Sequence, residues 1–146
     1  MAHDVETSKK VEVDGYVYLV NHPPVEEAFD IGVELSRLIA VPAANMAMVK
    51  DDASLANALS ASVHSLMKNV DGKSSMALIR RLLKYVEVQG KASGEAKKLL
   101  LDQAGINTHF HARTGSMMRL VGEVVVFTHT DFFAALKGMM NNLMAD

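Results

Sequence analysis

The sequence predicts a mainly α-helical protein: a compact domain of about five to six helices with a small N-terminal β-hairpin. Three observations carry that expectation. Beyond residue 24, apolar residues recur at the three-and-four spacing of a helical face. Glycines, prolines and short polar residues cut those runs where helices start and stop. Near the N-terminus, Val11 and Val13, then Tyr16, Tyr18 and Val20, alternate around Asp14-Gly15, a pair that tolerates the positive φ of a tight hairpin turn.

Taken in order, the hairpin is expected over 10–21 and the helical region over 24–146, in one domain without internal repeats. A lone hairpin is marginal in water, so it must lie on the helices or extend a neighbour's sheet. Asn21-His22-Pro23-Pro24 breaks the extended run. A first helix follows from about Pro24 to Ala40, with Glu26 and Glu27 in its first turn and Ala28, Phe29, Gly32, Leu35 and Ile39 on one stripe. Pro42 stops it.

Ala43 to Lys50 reads as a connector. Asp51 or Asp52 caps a second helix that carries Leu55, Leu59, Leu66 and Met67 and ends at Asp71-Gly72. Ser74 or Ser75 opens a third, with Met76, Ile79, Leu82, Leu83 and Val86 inside and Gly90 as its stop. A fourth runs from Ser93 through Leu99, Leu100 and Leu101 to Gly105.

The densest apolar block, Asn107 to Leu136, holds four of the five Phe residues. Its stripe of Met117, Leu120, Val121 and Val124 and the later one of Phe132, Leu136, Met139, Met140 and Leu143 flank His129-Thr130-Asp131. A side-chain cap at Thr130 or Asp131 predicts two helices meeting at an elbow there. Neither half buries its stripe alone, so each must pack on the rest of the chain or on another protein.

Composition narrows function mainly by exclusion. Apolar residues make up 49% and charged residues 22% of the 146, so the chain is expected to fold. A formal charge of -2 gives no general attraction to nucleic acid. Without Cys there is no disulfide framework or thiolate metal site. No basic-then-apolar leader and no run of about 18 apolar residues is present, so a soluble, unexported protein without membrane contact is expected.

Candidate chemistry is sparse. His109 and His111 point the same way on an extended strand, and His129 could add a third nitrogen, but no carboxylate stands at a diagnostic spacing. Polar loop histidines are the simpler reading. Gly72-Lys73-Ser74 resembles the tail of a phosphate loop, yet Met67 stands where the leading Gly belongs and a helix precedes it. Ser116 after Gly115 lacks the second Gly of a nucleophile elbow. No catalytic residue, cofactor or metal is therefore expected. Ten Met residues, five of them after position 116, suit either core filling or an adaptable binding face.

The stretch HFHARTGSMMRLVGEVVVFTHTDFFAAL, and more weakly VEEAFDIGVELSRLIA, resembles the tail assembly chaperones of long-tailed bacteriophages. About half the chain carries the likeness, and it departs from the family pattern at His129-Thr130, where Asn is expected before the aromatic helix start. The resemblance implies a non-enzymatic helical subunit that coats the tape measure protein, a long amphipathic helix, and helps recruit tail-tube subunits. It also implies a homo-oligomer in the host cytoplasm during assembly. Met117, Met118, Phe132, Phe133, Met139 and Met140 are the expected partner-binding residues. The alternative is a permanent structural subunit of the tail or baseplate in the mature virion, which would use the same faces as fixed interfaces.

Overall fold

The computed structural model describes residues 7–38, 72–94 and 96–144. Strands β1 (Ser8–Val13) and β2 (Tyr16–Asn21) form the expected hairpin, and Asp14 and Gly15 take φ of 50° and 87° at its two-residue turn. Val13 pairs with Tyr16 across that turn, which places Val11, Val13, Tyr18 and Val20 on one face, all buried. Helix α1 spans Val25–Leu38 and α2 spans Gly72–Leu83. Next come β3 (Val86–Lys91) and β4 (Ala96–Leu100), then α3 (Gln103–His109) and α4 (Thr114–Met144).

The expected mainly α class is thus corrected to a mixed α/β one. Four antiparallel strands in the order β1-β2-β3-β4 form a sheet, and the described residues hold four helices. The hairpin finds its third strand within the chain: Val20 pairs with Val86 and Tyr18 with Val88. The third expected helix ends at Leu83 because Val86-Glu87-Val88-Gln89 alternates with the period of a strand, burying Val86 and Val88. The fourth is replaced by β4, although Lys97, Lys98, Leu99 and Leu100 all favour helices. Pairing with β3, where Val88 meets Leu99 and Glu87 meets Leu100, overrides that local preference.

Gly105 does not stop a helix. It lies buried within α3, whose N-cap Asp102 accepts the Gly105 N–H at 2.7 Å. The predicted elbow at His129-Thr130-Asp131 is also absent, and α4 continues through it for 31 residues, about 46 Å. Thr128 Oγ1 lies 2.7 Å from the Val124 carbonyl, and Thr130 donates to that of Val126. Threonine hydroxyls turned back onto the preceding turn cannot cap a new helix. The expected connector over 43–50 and second helix over 51–71 lie outside the described residues.

One core joins these elements. Sheet residues Val11, Tyr18, Val20, Val86 and Val88 meet Ile31 and Leu35 of α1, Ile79, Leu82 and Leu83 of α2, and Leu120, Val121, Val124, Val125 and Phe133 of α4. The hairpin tip is tied to the start of α4 by Asp14, which accepts from Ser116 at 2.6 Å and from Arg119 at 2.6 and 3.0 Å. These donors hold the Asp14 carboxyl below its usual range, the Ser116 bond most of all. Among the described residues no helix is long and apolar enough to cross a membrane.

Gly138 offers a clean test of the unbroken helix. A Cβ there meets nothing within 4 Å. Gly138→Ala is therefore expected to stabilise the protein by about 0.5–1 kcal/mol through helix propensity alone, read as a higher urea midpoint at unchanged slope. A flexible joint in this region would show no such gain.

Candidate functional site

The first turn of α1 and the second half of α4 leave a groove of about 860 Å³ between them. From α1 come Val25, Ala28 and Phe29, and from α4 Phe127, Thr128, His129, Asp131, Phe132 and Ala135. Thr7, His22 and Pro23 close one end. Val25 is 82% and Phe29 63% exposed, unusual for large apolar side chains this close together. The first-helix stripe is corrected here: Ile31 and Leu35 face the core, whereas Phe29 faces outward into the groove.

Aromatic contacts set the walls. Phe29 and Phe132 stand edge to face at 6.1 Å, and His22 lies against Phe127 at 4.5 Å. The Phe132 ring sits over Gly32, where an added Cβ would come within 2.9 Å of three ring carbons. Gly32 is thus the gap that lets this ring lie flat on α1.

His129 joins the two helices from beneath. Its Nε2 is 3.0 Å from the Ala28 carbonyl, which can only accept, so Nε2 carries a proton. Its Nδ1 is 2.6 Å from Thr128 Oγ1. Burial holds the imidazole below its usual pKa, so at neutral pH Nδ1 is bare, and the single Thr128 hydroxyl proton lies between Nδ1 and the Val124 carbonyl at 2.7 Å.

An unfolded His129 takes up a proton near pH 6.5, while the folded one resists it to lower pH. Stability from this group is therefore complete above about pH 6.5 and is lost as pH falls below it, by at most about 1.4 kcal/mol per pH unit. Urea midpoints are expected to drop between pH 7.5 and 5.5, and His129→Gln should flatten that decline. An equally steep decline in the variant would assign the effect elsewhere.

The residues expected to bind partners divide. Phe132 lines the groove and Met139 is 64% exposed beyond it, while Met118 is half-buried. Met117 and Phe133 lie in the core. The side chain of Met140 lies outside the described residues. Val25, Phe29 and His22 were not among the expected partner-binding residues, and Phe29 was expected on the apolar stripe of the first helix. Their only signal is the Val25 to Phe29 spacing just after Pro23-Pro24.

The three histidines weighed as metal ligands do not converge. His109 stands edge-on to Tyr16 and Tyr18, with Nε2 2.7 Å from the Tyr18 hydroxyl, whose pKa burial pushes up to about 12. His111 is exposed at the α3–α4 corner, and His129 is committed to Ala28 and Thr128. Among the described residues no group of three or more His, Cys, Asp or Glu could hold a metal ion. Ser116 is engaged with Asp14, so its hydroxyl serves the hairpin tip.

A family model described as phage tail assembly chaperone protein, TAC, matches residues 14–141, from the hairpin turn to the last turn of α4. No curated protein and no solved structure matches the chain.

Proposed function

The chain belongs to the phage tail assembly chaperone protein family, and we propose that it acts without catalysis, by binding the tape measure protein and helping to recruit tail-tube subunits. The observation that supports this reading is the open apolar groove between α1 and α4, where Val25 and Phe29 stand exposed beside Phe132. A groove between two helices receives an amphipathic helix through anchors spaced three and four residues apart. A long helix offers many such sets, so several copies can coat one cargo and gain avidity from weak individual contacts.

Work of this kind places the protein in the host cytoplasm during assembly. Its cargo's apolar stripe, uncovered, would self-associate.

Co-expression with the tape measure protein of the same phage tests the proposal. The tagged chain is expected to keep the tape measure protein soluble and to co-purify with it. Phe29→Asp, at an exposed position that leaves the core intact, is expected to reduce the recovered tape measure protein at least tenfold. Undiminished recovery with this variant would remove the groove from the interaction. Insoluble tape measure protein in the presence of the wild-type chain would count against the chaperone reading itself.

A further inference from the structure

Asp131 sits on the groove face of α4, one turn from Phe127 and Ala135 and beside Phe132, and its carboxylate is exposed. It makes no hydrogen bond or ion pair among the described residues. Of the other carboxylates of this region, Glu26 is exposed but does not line the groove, and three are paired. Asp30 and Glu34 share Arg81 at 2.6 and 2.9 Å, and Glu27 accepts from Tyr85 with Lys84 at 4.0 Å. Among the described residues no Lys or Arg lines the groove. An occupant that laid only apolar surface here would strip water from Asp131 and leave the charge uncompensated, which is strongly unfavourable.

We propose that the groove takes an amphipathic helix carrying a Lys or Arg beside its apolar stripe, and that Asp131 receives this cation. The apolar stripe covers Val25, Phe29 and Phe132 while the cation replaces the water around the carboxylate. Charge complementarity thereby fixes the register in which the helix docks, a task the apolar walls alone perform poorly. This inference rests on the reading that the groove receives a partner helix, and it specifies that helix's chemistry.

The test uses the full chain and three labelled helical peptides of roughly five turns, identical except for Lys, Gln or Glu at one position flanking a Leu stripe. Fluorescence anisotropy is expected to show the Lys peptide binding about tenfold or more tighter than the Gln peptide, with the Glu peptide weakest. Asp131→Asn should bring the three affinities within about threefold of one another, and Asp131→Lys should invert their order. Circular dichroism and an unchanged urea midpoint confirm that both variants stay folded.

Equal affinities for wild type, no binding of any peptide, or a Lys preference that survives Asp131→Asn would each overturn the proposal. So would a dimer of the free chain that Phe29→Asp dissociates, since the groove would then belong to a second copy. Recovery of the tape measure protein is measured independently. A chain that binds it through Phe29 yet shows no charge preference refutes the role of Asp131 alone.

Discussion

Phe133→Asp is expected to yield no stably folded protein. Phe133 is 3% exposed on α4 and packs edge to face with Phe132 at 5.3 Å inside the common core. Losing such a ring costs about 3–5 kcal/mol, and burying an unpaired carboxylate in its place costs several more. That sum rivals the whole stability of a domain this size, about 5–15 kcal/mol. Phe132→Asp is a different experiment, because that side chain is half-buried and opens onto the groove, where a carboxylate reaches water. Far-UV circular dichroism and urea unfolding of the two variants should separate them, Phe132→Asp retaining a cooperative transition and Phe133→Asp none. A wild-type midpoint for Phe133→Asp would place that ring outside the core.

Gly105→Ala is expected to destabilise the protein by about 3 kcal/mol. A Cβ at this position would stand 2.0 Å from the Leu100 backbone carbonyl oxygen and 3.2 Å from Asp102 Oδ1. Backbone cannot step aside as a side-chain tip can, so α3 must shift away from the end of β4. The shift also disturbs the Asp102 cap, adding about 1 kcal/mol to an overpacking cost of about 1–3 kcal/mol. Set beside Gly138→Ala, the same chemical change should move the urea midpoint in opposite directions. A neutral Gly105→Ala would mean that α3 and β4 do not meet this closely.

The sequence revealed most where local chemistry decides structure. Asp14-Gly15 announced its turn because both positions need positive φ, and Ile79, Leu82 and Leu83 of α2 followed from helical spacing, although buried Leu78 did not. It misled where distant pairing decides. Lys97 to Leu100 contains strong helix formers and becomes a strand only because β3 lies alongside, and β3 itself is a short alternation joined to the end of a helix. His129-Thr130-Asp131 carries capping residue types, and nothing local shows that the threonine hydroxyls turn back onto the preceding turn.

The groove was half legible for the same reason. Phe132 was visible as an apolar helix residue, but Phe29, more than a hundred positions earlier, becomes its neighbour only after folding. The family resemblance was carried by apolar patterns around α4 and the first helix, and the family match also takes in β2, β3 and β4.

Residues Phe29 and Leu100 are both 63% exposed, yet Phe29 lines the groove and Leu100 pairs with Glu87 on β3, away from it. A photo-crosslinking phenylalanine analogue placed at each position, in cells that also express the tape measure protein, tests the docking account most directly. Irradiation is expected to join the tape measure protein to position 29 and not to position 100. Crosslinks from position 100 alone, with position 29 silent while the two proteins still co-purify, would contradict it.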